Sequence, residues 1–329
     1  MLRVAVAGVG HLGQFHAEKF TSIDNVKLTG VYDIDTARAR QIAGKLGVKR
    51  FKSYEALLEE VDAVDIASTT TAHYELAKQA LEAGKHVFIE KPITSELWQA
   101  EELVALAKKK GLKIQVGHIE RFNPVILRVE ESIKDPVFIE SHRISMFQRR
   151  GTDVPVVLDL MIHDIDLILD FVRGDVSDIR ASGVGILTPS IDIANARLEF
   201  DNGAIANVTS SRASLKQERK IRFFQRDAYF SLDFSTKHVT VVKKGADIMK
   251  YLPQILMGNT DVKAENLVDV QNIDLTDFPK DALTLELESF AAAVIDNTPP
   301  LVDGEAGLRA LKVALDIMQH IKKQPRTHI

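Results

Sequence analysis

The first thirteen residues constrain the fold more than any other stretch of the chain. Val4 to Ala7 form an apolar run of strand length, and Gly8, Gly10 and Gly13 follow at the spacing G-x-G-x-x-G. In such a turn the first glycine permits a tight bend, the second lets the backbone approach a pyrophosphate, and the third lets the next helix lie close to the strand. The spacing therefore predicts a strand, a phosphate-binding turn and a helix whose N-terminus faces the phosphates. The dinucleotide-binding candidates in this turn are Gly8, Val9, Gly10, His11, Leu12 and Gly13.

An acidic residue after the second predicted strand favours a dinucleotide site over an ordinary strand-to-helix turn. Asp33 follows the apolar segment Val26 to Tyr32 and lies 20 residues beyond Gly13. A carboxylate there accepts hydrogen bonds from the adenosine ribose hydroxyls and repels a 2′-phosphate, so we expect NAD as cofactor, with NADP possible. Arg38 is a further cofactor-site candidate, and its charge would weaken the preference for NAD over NADP. We expect it, however, to lie on a solvated helix face.

Length and composition limit the remaining possibilities. A chain of 329 residues exceeds what one hydrophobic core usually serves, so we expect two domains, at 1–124 and 125–329. The net charge of -4 provides no basic field for nucleic acid or an anionic membrane surface. The chain has no cysteine, which excludes disulfides and is compatible with a reducing cytoplasm, where we expect the protein to lie. No apolar run approaches the ~18 residues of a membrane span.

Strands and helices alternate through the first third of the chain, which predicts an α/β domain with a six-stranded parallel sheet. Ser68, Thr69 and Thr70 follow the fourth strand, at the sheet edge where such folds bind ligands. Contact with the cofactor and capping of the next helix are equally open interpretations for these hydroxyls. His73 is a further cofactor-site candidate, with a structural role as the alternative, whereas His16 is expected to be structural.

The fifth predicted strand ends in Glu90, Lys91 and Pro92. A lysine at the tip of a parallel strand lies over the ligand cleft, and the bond before a proline can be cis. Glu90 and Lys91 are therefore candidates for the cofactor site. Taken alone, the two residues also fit a solvated loop pair.

The second half of the chain has the pattern of a mainly antiparallel sheet. Residues 194–201 alternate apolar and polar side chains, and Asp201-Asn202-Gly203 then predicts a hairpin turn. Residues 230–243 continue as a meander. Such a sheet has one apolar face that needs a cover of helices or of another subunit, so we expect a homo-oligomer. Residues 247–280 are poorly patterned and support no prediction.

A predicted helix at residues 158–171 carries the residues best suited to catalysis. Asp159, His163 and Asp166 are spaced to project from one helix face. Oxidation of a secondary alcohol needs a base for the hydroxyl proton, and histidine with a nearby carboxylate suits that role. A core or capped histidine beside solvated aspartates is the alternative.

These segments together resemble the Gfo/Idh/MocA oxidoreductases, which use NAD(P) and act on sugars, cyclitols and nucleotide sugars. The resemblance rests on the glycine turn, on Ala83-Gly84-Lys85-His86-Val87 leading to Glu90-Lys91-Pro92, on the D-x-x-x-H-x-x-D array, and on Asp303-Gly304-Glu305-Ala306-Gly307-Leu308-Arg309. It implies a Rossmann domain followed by a domain with a large, mainly antiparallel open sheet. One face of that sheet would bind substrate and the other a partner subunit in a homodimer or homotetramer. The C-terminal amphipathic helix, with Leu308, Leu311, Leu315 and Met318 on its predicted apolar face, would pack back on the first domain.

The resemblance also implies roles for individual residues. His163 would be the general base, and Asp159 would hold it or bind a substrate hydroxyl. Lys91 would hydrogen-bond the reacting oxygen and stabilise its charge, or share the proton relay, whereas Asp166 would be structural. No metal is implied, and nicotinamide chemistry on alcohols does not require one. The substrate-binding candidates are Lys91, His118, Arg121, Arg149, Asp159 and His163.

Two short segments differ from the pattern of many family members. Ser68-Thr69-Thr70 replaces Thr-Pro-Asn, and Ile119-Glu120-Arg121 replaces Asn-Arg-Arg. The run Gly-His-Ile-Glu-Arg-Phe-Asn-Pro at 117–124 is similar to enzymes that oxidise the sugar of UDP-N-acetylglucosamine at its 3-position. Arg149 and Arg150 would then grip a diphosphate, although a solvated basic loop is the commoner reason for such a pair.

The expected function is hydride transfer from a ring secondary alcohol of a sugar or nucleotide sugar to nicotinamide, with a UDP-N-acetylglucosamine-like substrate favoured. Three alternatives remain open at the level of sequence. They are a cyclitol or free-sugar dehydrogenase, an NAD-dependent glycosidase, and a non-catalytic NAD-binding sensor.

Overall fold

The computed structural model describes residues 1–147, 154–245 and 267–323. These residues divide between two compact units. The first unit comprises Met1–Phe122 and Lys280–Lys312, and the second comprises Asn123–Pro279 and Val313–Ile329. The first unit is therefore built from two separate stretches of chain.

The secondary structure follows the alternation predicted from the sequence. The strands are β1 (Leu2–Ala7), β2 (Val26–Tyr32), β3 (Lys49–Arg50), β4 (Ala63–Ile66), β5 (His86–Glu90), β6 (Ile114–Gly117), β7 (Phe138–Met146), β8 (Val176–Val184), β9 (Ile193–Phe200), β10 (Ile205–Ser214), β11 (Glu218–Phe224), β12 (Ala228–Asp233), β13 (His238–Lys244) and β14 (Val268–Asp274). The helices are α1 (Gly13–Phe20), α2 (Thr36–Leu46), α3 (Tyr54–Leu58), α4 (Thr70–Glu82), α5 (Leu97–Lys110), α6 (Pro124–Leu127), α7 (Ile162–Val172), α8 (Ala282–Ile295) and α9 (Gly304–Lys323).

The first unit is organised around a six-stranded parallel sheet. Its order is β3-β2-β1-β4-β5-β6, and every pairing is parallel. The central strands β1, β4 and β5 are short and mostly apolar, and most of their residues are buried, as expected of parallel strands between helices. The predicted α/β domain with six strands is confirmed.

Helix α8 completes the core of this unit from the far end of the sequence. Phe290 packs edge-on against Phe88 of β5, with ring centroids 5.8 Å apart. Leu287 and Phe290 share one buried cluster with Val4 and Phe20. The core around the parallel sheet therefore includes α8, which follows residues 123–279 of the second unit in the sequence.

The last helix buries a different face from the one predicted. Leu311 is buried, but Leu308, Leu315 and Met318 are only half-buried. The buried face instead combines Leu311 and Ile317 with small residues. A side chain at Gly307 would place its Cβ 2.5 Å from the Val116 side chain of β6, so close approach of the helix to that strand requires glycine there. Asp303 caps this helix, because its carboxylate accepts from the Ala306 N–H at 2.9 Å.

The second unit contains an eight-stranded, mainly antiparallel sheet. Its order is β14-β13-β12-β11-β7-β10-β9-β8, and among the described pairs of this second sheet only that of β7 with β10 is parallel. Buried and half-buried positions alternate along β9, β10 and β12, as period-two patterning requires. The predicted hairpin is confirmed at Gly203, whose φ of 84° is accessible to glycine, and β11 to β14 form the predicted meander.

The helix that carries the catalytic candidates is not continuous. Val157–Met161 form one π-helical stretch, and the α-helix α7 begins only at Ile162. A π turn holds more residues than an α turn, so it changes the facing of side chains on either side of it. Both segments pack against the sheet of the second unit, on β10, and α7 also packs on β7.

Candidate active site

The glycine turn of the first unit has the geometry of a phosphate-binding loop. Gly8 has φ of 90°, and its N–H donates to the Tyr32 carbonyl at 2.8 Å. A Cβ at Gly13 would lie 1.8 Å from the Gly8 carbonyl oxygen, so only glycine allows α1 to begin here. A Cβ at Gly10 would meet no described atom within 4 Å, which leaves this backbone open on one side. The loop therefore fits the pyrophosphate of a dinucleotide at the N-terminus of α1.

The residues at the start of α1 divide into an outward and an inward face. Leu12 is 51% exposed and Phe15 is 40% exposed, and His11 packs edge-on against Phe15 with centroids 5.6 Å apart. The inward face includes His16 and Phe20, which are buried. The apolar residues Leu12 and Phe15 thus remain accessible beside the loop.

Asp33 lies at the tip of β2 with its carboxylate held by backbone donors. One oxygen accepts from the Val9 N–H and the other from the Asp35 N–H, both at 2.8 Å. A carboxylate has more acceptor sites than these two bonds use, so the ribose hydroxyls can still donate to it. The bond to Val9 thereby holds the Asp33 carboxylate beside the glycine turn.

Arg38 does not lie on a solvated helix face, and that expectation was wrong. Its Nε donates to the Val9 carbonyl at 2.8 Å, and one terminal nitrogen donates to the Gly10 carbonyl at 3.2 Å and to Gln14 at 2.8 Å. The other terminal nitrogen donates to Gln41 at 3.0 Å. The carbonyls of the loop are accepting groups that need donors, and the planar guanidinium meets two of them at once. Arg38 therefore braces the glycine loop.

The segment after β4 also lies at the carboxyl edge of the sheet. Thr69 occupies the N-cap position of α4, yet within the described part of the chain its side chain makes no capping hydrogen bond. The Ser68 hydroxyl makes only a long bond of 3.4 Å to the Thr69 carbonyl. His73 is buried, and its ring nitrogens lie 2.9 Å from the Pro92 carbonyl and 3.2 Å from the Ser68 carbonyl. Burial lowers the pKa of His73, and the neutral ring donates to only one of these two carbonyls at a time.

Lys91 lies at the end of β5, half-buried, and the peptide bond between it and Pro92 is cis, as the sequence allowed. The Glu90 carboxylate accepts from the Lys91 backbone N–H at 3.1 Å. A Cβ at Gly117 of the neighbouring strand would lie 3.0 Å from that carboxylate, so the glycine makes room for it.

A buried histidine joins this strand end to β4. His16 Nδ1 lies 2.8 Å from the Asp65 carboxylate, and its Nε2 lies 3.2 Å from the Glu90 carboxylate. Sequence reasoning treated His16 as structural only. The signal that could have revealed the cluster is Asp65 itself, because an acid inside a fully buried strand requires a charged or hydrogen-bonding partner.

In the second unit, Asp159 lies in the π-helical stretch and His163 in the first turn of α7, and both are half-buried. Asp166 is buried, so the three residues do not share one environment as the α-helical spacing predicted. Asp159 and His163 share partial exposure, whereas Asp166 lies within residues 164–169 of α7, all of which are buried. Asp164 is also buried, where it accepts a bidentate pair of bonds from Arg143 of β7 at 3.0 and 2.8 Å.

A second buried ion pair anchors the chain just before the π-helical stretch. Asp192 accepts from Arg212 Nε at 2.8 Å and from three backbone N–H groups at residues 186–188. Arg212 also donates to the Val154 carbonyl at 2.6 Å. Burial alone would raise the pKa of Asp192, but Arg212 and the loop donors hold it far below its usual range. Sequence reasoning missed this pair, since Asp192 precedes β9, Arg212 lies in β10, and no motif links them.

The remaining substrate-binding candidates are only partly described. His118 and Arg121 are buried side chains that follow β6, and their substrate role stays a prediction. Arg149 and Arg150 lie outside the described residues. Among the residues that are described, no group of three His, Cys, Asp or Glu side chains could hold a metal ion. In the same residues, no helix combines the length and the apolar character needed to cross a membrane.

The parallel sheet, the glycine loop and the acid at the tip of β2 define a Rossmann-type dinucleotide-binding unit. A family model described as an oxidoreductase family with an NAD-binding Rossmann fold matches residues 2–118. The model for the GFO/IDH/MocA C-terminal domain matches residues 136–230. The chain belongs to the GFO/IDH/MocA family of NAD-dependent oxidoreductases, which confirms the sequence resemblance.

Individual relatives match the chain almost from end to end. A UDP-N-acetylglucosamine 3-dehydrogenase from Acidithiobacillus ferrooxidans is 36% identical over 317 residues, covering 96% of both chains. A solved structure of that enzyme has a TM-score of 0.87 and 35% identity, covering 98% of both chains. A myo-inositol 2-dehydrogenase from Thermotoga maritima is 27% identical over 94% of this chain and 93% of its own. A scyllo-inositol dehydrogenase from Lactobacillus casei, solved with NAD(H) and scyllo-inositol, shares the fold with a TM-score of 0.78 and 22% identity over 98% and 97% of the two chains.

Proposed function

We propose that this protein is a nucleotide-sugar dehydrogenase that oxidises a ring secondary alcohol of UDP-N-acetylglucosamine or a close analogue. The observation that carries the proposal is the 36% identity over 96% of both chains with an enzyme named for that reaction. The segment at 117–124, whose sequence resembles such enzymes, is consistent with it. Bound NAD would supply a hydride acceptor at its nicotinamide ring.

The proposed chemical roles fall to three side chains. His163 takes the hydroxyl proton, and Asp159 holds the imidazole or binds a neighbouring hydroxyl. Lys91 donates to the reacting oxygen and stabilises the charge that develops there. All three are half-buried, whereas the acids next to His163 in the sequence, Asp164 and Asp166, are buried. Partial exposure is what a side chain needs in order to meet a substrate.

A screen of candidate substrates tests the proposed specificity. Purified protein with NAD is offered UDP-N-acetylglucosamine, UDP-glucose, free N-acetylglucosamine and myo-inositol, and NADH is followed by its fluorescence. We expect kcat/KM for UDP-N-acetylglucosamine to exceed that for the free sugar by at least about 100-fold, because the nucleotide supplies binding energy that the sugar lacks. Equal rates with the free sugar would contradict a nucleotide-sugar substrate.

A cyclitol dehydrogenase is the second candidate, favoured by the full-length similarity to the Thermotoga maritima myo-inositol 2-dehydrogenase. Preference for myo-inositol in the same screen would establish it. An NAD-dependent glycosidase would instead release a leaving group without accumulating NADH. A non-catalytic NAD sensor would bind NAD and turn over none of these compounds.

We propose further that the protein assembles as a homodimer or homotetramer through the outer face of the second unit's sheet. Phe138, Phe224 and Tyr229 form an aromatic row on half-buried positions of that face, with successive centroids 5.7 and 4.8 Å apart. Val270 of the edge strand adds an exposed apolar side chain. Such a row favours burial against a second copy.

Light scattering should give at least twice the mass of one chain, and Tyr229→Lys should reduce that mass. A monomeric wild-type protein would overturn this assignment. The expected cytoplasmic location stays a prediction.

A further inference from the structure

His16 lies between two carboxylates in the interior of the first unit. The ring is 1% exposed and Asp65 is fully buried, on the central strand β4. Asp65 faces Nδ1 and Glu90 faces Nε2, at 2.8 and 3.2 Å. Phe88 packs edge-on against the ring with centroids 5.6 Å apart, so water has little access to it.

With both carboxylates ionised, the two contacts are satisfied only when both ring nitrogens carry a proton. A neutral imidazole has one donor and one acceptor nitrogen, so one carboxylate oxygen would then face a lone pair. Burial alone would lower the pKa of His16, but the charges and hydrogen bonds of Asp65 and Glu90 outweigh it and hold the pKa well above its usual range. Burial raises the pKa of Asp65, and its second oxygen has no hydrogen-bond partner among the described residues, so Asp65 relies on His16.

Glu90 transmits this arrangement to the lysine that follows it. Burial would raise the pKa of Glu90, but the hydrogen bond and charge of His16, together with the Lys91 charge, hold it below its usual value. One carboxylate oxygen takes the His16 contact and the other accepts from the Lys91 backbone N–H. Asp65 and His73 are further titratable groups that interact electrostatically with Glu90. The carboxylate is thus fixed from two sides at the base of the Lys91 side chain.

We propose that His16 is a positioning residue for Lys91. As a permanent imidazolium it keeps Glu90 ionised, and ionised Glu90 holds the Lys91 backbone and places a negative charge beside its ammonium. The significance for catalysis rests on the proposed role of Lys91. The state of the cluster itself is independent of any substrate.

The first test is spectroscopic and uses the full-length protein without substrate. In 15N-histidine protein, assigned with His16→Gln, both ring nitrogens of His16 should have shifts of protonated nitrogen from about pH 6 to about pH 8, where an ordinary histidine loses its proton. A neutral tautomer at pH 7 would overturn the proposal, and this measurement needs no variant to remain folded apart from the one used for assignment.

A pair of variants then separates the two contacts of the ring. Asn at position 16 can keep the Nδ1-type donor toward Asp65, and Gln can keep the Nε2-type donor toward Glu90. In 13C-glutamate spectra assigned with Glu90→Gln, we expect the titration of Glu90 to move to higher pH in His16→Asn and to move less in His16→Gln. An unchanged Glu90 titration in His16→Asn, with circular dichroism equal to wild type, would contradict the proposal.

Kinetics test the link to catalysis. In His16→Asn we expect kcat to fall about 10- to 100-fold near pH 7 and to recover as the pH rises and Glu90 ionises again, with the Kd for NAD unchanged. Glu90→Gln should stay impaired at every pH. A loss in His16→Asn that is the same at all pH values would indicate a merely structural role. If wild-type protein oxidises none of the sugars, the proposed function fails, whereas the spectra still decide the state of His16.

Discussion

At the scale of single residues, some described side chains are accessible to ligands, and others hold the surrounding structure in place. Lys91, Asp159 and His163 are half-buried, whereas His16 and Asp65 are buried and Arg38 faces the loop carbonyls. The second group is where sequence interpretation was weakest. A motif fixes the type of a side chain, but its partners come from segments distant in sequence.

Removing the proposed base or the lysine should affect turnover and leave coenzyme binding intact. We expect Lys91→Ala and His163→Ala each to lower kcat by about 10²- to 10⁴-fold, because a proton-transfer or charge-stabilising group is lost from the transition state. Lys108→Ala, an exposed lysine of α5, is the matched control and should behave as wild type. Loss of NAD binding by equilibrium dialysis in either variant would show that the role of that residue is misassigned.

Asp33 and Arg38 should differ in their effects on coenzyme choice. Asp33→Ala removes the carboxylate that repels a 2′-phosphate, so the ratio of Kd values for NAD and NADP should rise. Arg38→Ala removes the brace of the Val9 and Gly10 carbonyls, so both coenzymes should bind more weakly and the ratio should change little. Isothermal titration with each coenzyme measures this. An Arg38→Ala protein that loses only NADP affinity would return Arg38 to a role in phosphate recognition.

At the scale of elements, the approach to the π-helical stretch is fixed by the Asp192–Arg212 pair. The Val156 N–H donates to the Ile191 carbonyl at 2.9 Å, next to the bond from Arg212 to Val154. The chain therefore enters Val157–Met161 from a point anchored on the residues before β9 and on Arg212 of β10. The position of Asp159 depends on this anchor.

The anchor predicts a pH-dependent loss of stability. Asp192→Asn leaves a buried guanidinium without its counter-ion and should lower the free energy of unfolding at pH 7 by about 3 kcal/mol. Because the folded-state pKa of Asp192 is depressed, its contribution is present above the unfolded pKa and is lost as pH falls through the folded value. The difference in the free energy of unfolding between variant and wild type, measured by urea unfolding, should thus become smaller below about pH 4. Asp178→Asn, in an exposed pair with Arg180, is the control. A gap independent of pH would contradict the assignment.

Most elements could be predicted from sequence because their patterns are local. The run at Val4 to Ala7 and the alternation at 194–201 each encode a strand by periodicity alone. The π turn around Asp159 could not be predicted, since the same apolar spacing fits a continuous α-helix. The buried face of α9 was also beyond prediction, because it depends on the approach of Val116 to Gly307.

At the scale of the whole molecule, the coenzyme-binding unit depends on a second stretch of chain. Residues 280–312 belong to it, and Phe290 packs on Phe88 inside its core. The chain's single tryptophan, Trp98, lies in α5 of the same unit and reports on it separately from the sheet of the second unit.

Truncating Phe290 should therefore destabilise the coenzyme-binding unit. Phe290→Ala removes a fully buried ring and should cost about 3 to 5 kcal/mol, which lowers the urea midpoint measured by Trp98 fluorescence. The variant should also bind NAD more weakly, because part of the population is unfolded. Leu301→Ala, an exposed leucine in the same stretch, is the control and should leave the midpoint unchanged. An unaltered midpoint in Phe290→Ala would show that α8 is dispensable for this unit.

The divided first unit has a consequence for the order of events during synthesis. Residues 1–122 leave the ribosome first, but α8 follows only after the entire segment 123–279 has been translated. Until then the face of Phe88 that Phe290 covers is exposed, and it is open to non-native contacts and to chaperones. The nascent coenzyme fold must wait for nearly the whole polypeptide before it can close.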